Sequence, residues 1–244
     1  IYVYGYRFSE YMLISIFQPF QKTIAPILME KAAKNFNDAF YYSKKLADNV
    51  VIFISIIVAI AIIPFKDVML FLSKDAYTLS FTIFLISLVG ILLNNISNIY
   101  NILFNHLERT DLNMAMGVSC AILNVCLNIW LIPKYGIIAA AFTTVISFFF
   151  VFILSILLLN RFVENRLNIL KILKGLIPII SYIVIIYFIE NGFLVNESQT
   201  FSLYGYKITA FILFILGSFY TSDEFKNSIS KGLGYVRVYI SGIN

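Results

Sequence analysis

The chain contains long stretches without a charged residue, and the longest runs from Ala76 to Asn105. A transmembrane helix needs about 20 consecutive, mostly apolar residues. Five further stretches reach or nearly reach that length: Asn49–Phe65, Leu112–Pro133, Tyr135–Asn160, Gly175–Ile189 and Ile208–Ser222. A further segment, from about Phe8 to Met29, is mostly apolar but contains charged residues. With this segment the sequence predicts seven transmembrane helices, of which the last two are short.

The amino-acid composition points to the same class of protein. Of 244 residues, 60% are hydrophobic and 13% are charged. A soluble domain with that balance could not cover its surface with polar groups. We therefore expect an all-α polytopic membrane protein of about seven transmembrane helices.

Asparagines form a polar stripe inside the third predicted helix. At 100° per residue, four of them share an arc of roughly 60°: Asn94, Asn98, Asn101 and Asn105. A lipid-facing amide would be unsatisfied, so the stripe must face another helix or a water-filled cavity. Two interpretations stay open: the wall of a substrate cavity, or hydrogen bonds that hold helices together, each worth about 0.6 kcal/mol.

Polar residues also share one face of the first predicted helix: Arg7, Tyr11, Ser15, Gln18 and Lys22. A charge at mid-membrane costs about 2.5–3.5 kcal/mol, so Lys22 is expected to face a cavity or a carboxylate, unless its long side chain reaches the interface. Pro19 and Pro26 predict a kinked, discontinuous helix, which is the usual form of a transport-site element. A harmless kink would look the same in the sequence.

The fourth and fifth predicted helices carry a second set of small and polar residues. One face of the fourth holds Asn113, Gly117, Cys120, Asn124 and Asn128, and the fifth adds Thr143, Thr144 and Ser147. We assign the asparagines at 124 and 128 and the three hydroxyls to helix packing or a cavity wall. Gly117 favours tight helix contact. The segment from Pro133 to Gly136 predicts a tight turn, which makes the two helices antiparallel neighbours.

Residues typical of catalytic or metal sites are scarce. The single histidine, His106, is expected to be an interfacial polar residue, and no His, Cys, Asp and Glu spacing fits a metal site. Glu190 is expected to be solvated at a helix end. The sequence predicts no enzyme activity, no metal and no cofactor, and a membrane protein with a polar interior usually moves a polar solute.

The distribution of lysine and arginine predicts the orientation. If the loop Glu30–Lys45 is cytoplasmic, twelve of these residues lie on that side and five on the other: Arg7, Lys66, Lys74, Lys134 and Lys207. The positive-inside rule then predicts an external start and a cytoplasmic C-terminus. The net charge of +5 follows from this bias and from contact with anionic lipids, so no nucleic-acid partner is expected.

Two segments resemble a known family. The opening Val3–Glu10, running into Gln18-Pro19 and Ala25-Pro26, resembles the start of the second helix in the C-terminal lobe of polysaccharide flippases. These O-antigen and capsule flippases belong to the multidrug/oligosaccharidyl-lipid/polysaccharide exporter superfamily. The segment Asn124–Ala141 is similar to the family pattern N-x-x-L-N-x-x-L-I-P-x-Y-G-I-x-G-A-A, and departs from it at Ala139, where glycine is common.

The resemblance implies an arrangement and an activity. Residues 1–160 would form helices eight to twelve of a fourteen-helix transporter, 161–221 two additional helices, and 222–244 a cytoplasmic tail, with the N-terminal lobe missing. The implied activity is the flipping of an undecaprenyl-pyrophosphate-linked oligosaccharide across the plasma membrane by alternating access. A drug antiporter of the same superfamily is the alternative, and a membrane-embedded polysaccharide polymerase or ligase is a further one.

Such a substrate offers a diphosphate, hydroxyl groups and a long isoprenoid tail. Cations suit the diphosphate and amides suit the hydroxyls. We therefore expect eight residues to line the substrate path: Arg7, Tyr11, Gln18, Lys22, Asn94, Asn98, Asn101 and Asn105. The expected partners are the lipid-linked oligosaccharide, membrane lipids and the missing lobe.

Cysteine labelling in intact cells tests the orientation. Single cysteines within Lys31–Lys45 and Arg161–Lys174 of the cysteine-free protein should be shielded from an impermeant thiol reagent, because these basic segments are predicted to be cytoplasmic. Cysteines near Lys74 and Asn196 should react and provide the positive control. Labelling of either basic segment would reverse the predicted orientation.

Overall fold

The computed structural model describes residues 2–65, 67, 78–163, 169–190 and 200–221. These residues form seven helices: α1 (Tyr2–Lys34), α2 (Phe36–Ile62), α3 (Thr78–His106), α4 (Thr110–Tyr135), α5 (Ile137–Leu159), α6 (Ile169–Glu190) and α7 (Thr200–Thr221). The all-α class is confirmed for the described residues. Several charges in the orientation argument lie outside them, including Lys66, Lys74, Arg166 and the tail from Ser222.

Four of the described helices contain a stretch long and apolar enough to cross a bilayer. These stretches are Leu79–His106, Thr110–Tyr135, Ile137–Leu159 and Ile172–Glu190, and α7 contains a shorter apolar one, Tyr204–Ser218. The chain is therefore a polytopic membrane protein. The count of seven spans and the division at residues 160 and 221 remain predictions.

The chain divides into two compact units. Unit 1 comprises Ile1–Ala47 and Pro64–Ile169, and unit 2 comprises Asp48–Ile63 and Leu170–Asn244. Helix α2 thus gives its first part to unit 1 and its second part to unit 2. The helices α1, α3, α4 and α5 belong to unit 1, whereas α7 and nearly all of α6 belong to unit 2.

Helix α3 lies at the centre of unit 1, where it packs against both α1 and α5. Most of its side chains are apolar or small, so it can bury two faces at once. Phe84, Ile96 and Leu103 are fully buried. Because lipid tails are as apolar as leucine, this core is stabilised by close van der Waals packing more than by escape from water. Helix α4 packs against α5 and buries little of its own surface.

Two glycines let α3 approach its neighbours closely. A Cβ atom at Gly5 of α1 would collide with the carbonyl oxygen of Ser80 in α3. A Cβ atom at Gly90 of α3 would lie 3.1 Å from the Cα atom of Val145 in α5. The missing side chains allow backbone contact, which is how small residues strengthen helix packing in membranes.

The junction between α1 and α2 differs from the prediction. The predicted loop Glu30–Lys45 is helical, because α1 continues to Lys34, α2 begins at Phe36, and Asn35 alone separates them. The side-chain oxygen of Asn35 accepts a hydrogen bond from the backbone N–H of Asn37 (3.0 Å) and caps α2. This segment is rich in lysine and alanine, which favour helix, so its polarity alone does not produce a loop.

Helix α1 is uninterrupted from Tyr2 to Lys34, although Pro19 and Pro26 lie inside it. The prediction of a discontinuous helix is therefore wrong. Each proline removes one helical hydrogen bond, and the bonds on either side continue the helix. The polar residues of α1 consequently lie on one continuous helix.

The predicted tight turn between α4 and α5 is confirmed. Helix α4 ends at Tyr135, α5 begins at Ile137, and Gly136 between them has a φ of 68°. Residues with a side chain rarely adopt this left-handed conformation, which accounts for the glycine. The two helices pack as neighbours. Pro133 lies within the last turn of α4.

An aromatic cluster joins α6 to α7 in unit 2. The ring centroid of Tyr182 lies 5.5 Å from that of Phe214 and 6.4 Å from that of Phe211. The buried Tyr182 hydroxyl donates a hydrogen bond to the carbonyl oxygen of Ala59 in α2 (2.9 Å). A phenol in apolar surroundings is thereby paired, and it links α6 to the second part of α2.

Two glycine substitutions test the close contact of α1 with α3. Gly5→Ala should lower the free energy of unfolding by about 1–3 kcal/mol, because the helices must separate to admit the methyl group. Gly117→Ala is the matched control, since a Cβ atom there meets nothing within 4 Å. Unfolding of the purified protein in mixed micelles measures both. Equal stability of the two variants would contradict the close contact.

Candidate functional site

The predicted polar face of α1 lies on the surface of unit 1. Tyr11, Ser15, Gln18 and Lys22 are exposed. Within the described residues Lys22 forms no ion pair with a carboxylate, so of the expected surroundings a cavity or the membrane interface remains. Arg7 is also exposed, and it donates a hydrogen bond to Glu10 at 2.6 Å in an ion pair one turn away. This face, Arg7 to Lys22, is called the α1 stripe below.

The two prolines of α1 add hydrogen-bond acceptors to the α1 stripe. Proline has no N–H, so the carbonyls of the residues four positions earlier lose their helical donor. Those residues are Ser15, before Pro19, and Lys22, before Pro26, and both are exposed. The stripe therefore presents backbone carbonyls in addition to a guanidinium, an ammonium and an amide.

The predicted asparagine ladder of α3 lies beside α4. Asn94, Asn98 and Asn101 are half-buried and Asn105 is exposed. Asn113 of α4 donates hydrogen bonds to the Asn105 side-chain oxygen (2.7 Å) and to the Asn101 carbonyl (3.3 Å). A longer contact of 3.5 Å joins the side chains of Asn101 and Asn98. Asn101 and Asn105, at one end of the ladder, thus form an amide seam with Asn113 of α4.

The amide seam keeps unused acceptor capacity. The side-chain oxygens of Asn101 and Asn113 are buried and accept no hydrogen bond from the described residues. A seam that served only to join two helices would pair such buried acceptors. Asn95 lies outside the asparagine stripe and is paired within its own helix, since its amide donates to the carbonyl of Ile91 (2.8 Å).

Hydrogen bonds near the turn fasten α4 to α5. The Asn128 amide donates to the Asn124 side-chain oxygen (2.9 Å), and the Thr143 hydroxyl of α5 contacts the Asn128 side-chain oxygen at 2.5 Å. The Ser147 hydroxyl donates to the carbonyl of Thr143 (2.8 Å). The side chains of Asn128 and Thr143 therefore link α4 to α5.

A pocket of about 360 Å³ opens between α1, α4 and α5. It is lined by Tyr2, Tyr6, Gly117, Cys120, Ala121, Asn124, Thr144, Ser147 and Phe148. Gly117 lines this space and has no neighbour where its Cβ would stand, so the expectation of tight helix contact at this residue is wrong. Three of the residues assigned to packing or a cavity, Asn124, Thr144 and Ser147, line the pocket.

The tyrosines of the pocket were not among the predicted site residues. The rings of Tyr2 and Tyr6 stack with centroids 5.8 Å apart and planes 14° from parallel. The Tyr2 hydroxyl lies 3.5 Å from the Thr144 hydroxyl of α5. Their four-residue spacing on one helix is the signal in the sequence, but such a pair looks the same in a packed core.

The polar residues between α3 and α4 form no metal site. His106 is half-buried, and its ring stacks on that of Phe36 with centroids 6.2 Å apart, in keeping with an interfacial residue. Arg109 forms two hydrogen bonds to Asp111, at 2.9 and 3.0 Å, and this carboxylate raises the pKa of the guanidinium. The described residues contain no group of His, Cys, Asp and Glu that could hold a metal ion.

Unit 2 contains a buried ion pair that the sequence analysis missed. Lys207 of α7 and Glu190 of α6 lie 2.5 Å apart, and their side chains are 0% and 1% exposed. Lys207 also donates to the carbonyl of Ile63 (2.9 Å), and its ammonium lies 4.9 Å from the ring centroid of Tyr204. The expectations of a solvated Glu190 and of Lys207 as an external loop charge are both wrong.

Comparison with known proteins supports the membrane class. A protein of Methanocaldococcus jannaschii, described as an uncharacterized membrane protein, is 35% identical to the chain over 140 residues. The match covers 54% of this chain and 26% of the relative, so the chain spans about a quarter of that protein's length. No protein-family model matches the chain. No solved structure matches it.

The buried ion pair predicts an unequal response to mutation. Lys207→Met should lower the free energy of unfolding by about 3–5 kcal/mol, because Glu190 would stay buried without its partner. The double variant Glu190→Gln with Lys207→Met should lose less, since neither charge remains. Unfolding in mixed micelles measures both variants. The control is Glu30→Gln, which removes an exposed ion pair with Lys34 (2.7 Å) and should change little.

If Lys207→Met and the double variant lost the same free energy of unfolding, the destabilisation would not come from an unpaired charge on Glu190. A loss for Glu30→Gln as large as that for Lys207→Met would show that burial is not the cause.

Proposed function

We propose that this chain is part of a flippase that moves lipid-linked oligosaccharides across the plasma membrane. It forms a large part of the C-terminal lobe, begins on the external side, and works by alternating access with the N-terminal lobe of the same protein. The α1 stripe faces the substrate path between the two lobes. The substrate is an undecaprenyl-pyrophosphate-linked sugar unit.

The observation that carries the proposal is the exposure of the α1 stripe. Arg7, Gln18 and Lys22 lie on a helix surface that unit 1 leaves uncovered. In hydrocarbon this surface would be unfavourable, since a charge at mid-membrane, as expected for Lys22, costs about 2.5–3.5 kcal/mol. A water-filled path opposite a second lobe removes that cost, and a diphosphate in the path would be attracted to both cations.

The amide seam supports the same proposal. A substrate with many hydroxyl groups needs donors and acceptors in excess of those that hold the helices together. The buried oxygens of Asn101 and Asn113 provide acceptors, and the carbonyls of Ser15 and Lys22 add more on α1. The seam and the stripe together offer both kinds of group that the substrate requires.

The family-like segment Asn124–Ala141 gives independent support. Its Pro-x-Tyr-Gly element forms the end of α4 and the turn into α5, and Gly136 at the turn has the left-handed conformation that explains the glycine. Ala139, where the family commonly has glycine, is buried in α5. The departure from the pattern is thus compatible with a packed helix.

Replacement of Lys22 tests the proposal. In a flippase-deficient host, Lys22→Ala should reduce surface polysaccharide about tenfold or more, the effect of losing a charge-assisted hydrogen bond of about 1.5–3 kcal/mol. Lys22→Arg should retain more activity. Asn98→Leu and Asn101→Leu should each have a smaller effect, because neighbouring amides and water can replace one hydrogen bond.

The matched control is Lys34→Ala, which removes an exposed lysine of the same helix about 120° from Lys22 in projection. Protein abundance is measured for every variant. Full complementation by Lys22→Ala at normal abundance would mean that the α1 stripe does not hold the head group. Equal defects in Lys22→Ala and Lys34→Ala would point to insertion or orientation instead.

A further inference from the structure

We propose that the pocket between α1, α4 and α5 holds a single uncharged sugar ring of the transported oligosaccharide. This assignment rests on the proposed function, because that substrate supplies the sugar. Ligand sites usually enclose about 300–1,000 Å³. The pocket, at about 360 Å³, lies at the lower end of that range and suits one ring.

The chemistry of α4 separates this pocket from a lipid-facing surface. The side of α4 in the pocket carries Gly117, Cys120, Ala121 and Asn124, which are small or polar. Other exposed positions of the same helix carry large apolar side chains, such as Met114, Ile122, Val125 and Ile129. An isoprenoid or acyl chain would pack against these large apolar side chains. The pocket wall instead suits a ligand with hydroxyl groups.

The pocket combines an aromatic wall with hydrogen-bonding groups. The stacked rings of Tyr2 and Tyr6 offer a flat apolar surface against which the C–H face of a sugar ring can pack. Among the described residues, the NH₂ group of Asn124 donates no hydrogen bond, since only its oxygen is engaged by Asn128. The Thr144 hydroxyl donates to the carbonyl of Ala140 (2.9 Å), so its oxygen remains able to accept.

The electrostatics of the pocket select an uncharged ring. None of its lining residues is charged. Arg7, which follows Tyr6, is exposed on another face of α1 and does not line the pocket. A carboxylate placed in the pocket would lose its hydration without gaining a cation, which is costly. The pocket therefore accepts neutral hexoses or acetamido sugars and rejects hexuronic acids.

Position links this pocket to the substrate path. Gly117, Cys120 and Asn124 share one face of α4 with Asn113, which joins the amide seam one turn before Gly117. A sugar chain that follows this face passes from the seam into the pocket. The α1 stripe lies on the other side of α1 from Tyr2 and Tyr6 in projection, so the charged and uncharged parts of the substrate bind apart.

A native thiol in the pocket allows a direct binding test. Cys120 lines the pocket, whereas Cys126 on the same helix is exposed outside it. The full protein as encoded is reconstituted in nanodiscs with either Cys120 or Cys126 as its sole cysteine. The rate of labelling by N-ethylmaleimide is measured with neutral methyl glycosides, with methyl hexuronates, and without sugar.

Neutral glycosides should slow the labelling of Cys120 by the factor 1 + [sugar]/Kd, or about fivefold at about four times Kd, and should leave Cys126 unchanged. Hexuronates should not protect. Asn124→Ala should weaken protection about fivefold, as expected for one lost hydrogen bond. Gly117→Leu should abolish protection by filling the pocket, and Val118→Leu, on the same helix but outside the pocket, should preserve it.

Three results would overturn the inference: no protection of Cys120 by neutral glycosides, equal protection by hexuronates, or protection by an isoprenol alone. Transport of lipid-linked oligosaccharide by the same proteoliposomes separates the two proposals. Normal transport by Gly117→Leu would refute the sugar pocket and leave the flippase intact. Selective protection of Cys120 in a protein that moves no lipid-linked sugar would refute the flippase and leave the pocket.

Discussion

Unit 1 depends on the close approach of α3 to its two neighbours. Gly5 lets the backbone of α1 reach Ser80, and Gly90 lets α3 reach Val145 of α5. In lipid there is no large hydrophobic gain from bringing apolar helices together, so contacts of this kind provide much of the packing energy. Because α3 uses two faces in this way, its asparagine stripe lies on a third face, where Asn101 and Asn105 meet Asn113 of α4.

The pocket follows from how α4 is held. Asn113 ties one end of α4 to the asparagine ladder, and the turn at Gly136 with the Asn128–Thr143 contact ties the other end to α5. Between these points the face of α4 carries small residues, which leave a space that Tyr2 and Tyr6 of α1 close on one side. The same arrangement provides both the amide seam and an uncharged pocket.

Unit 2 illustrates how ionisable groups are accommodated in an apolar setting. Glu190 and Lys207 are each surrounded by apolar sequence, and neither could be buried alone at an acceptable cost. The two charges lie in contact with each other, and the carbonyl of Ile63 is a further acceptor for Lys207. Both residues lie at the ends of predicted spans, where a charge is ordinarily expected to reach water, so the sequence alone did not indicate that they pair.

The sequence was sufficient to predict the membrane class, the four long apolar helices and the turn at Gly136, because charge-free length and a left-handed glycine are local properties, but it did not predict the uninterrupted α1 or its close junction with α2. It also placed the polar residues of α1, α3 and α4 on common faces, since helical periodicity alone decides that. What each face meets became known from the packing of the helices. Gly5 and Gly117 are both helical glycines, yet one touches Ser80 and the other lines a pocket, and Glu190 and Lys207 became partners only when α6 and α7 packed together. The physical reason is that contact between helices depends on side chains distant in sequence, about which periodicity carries no information.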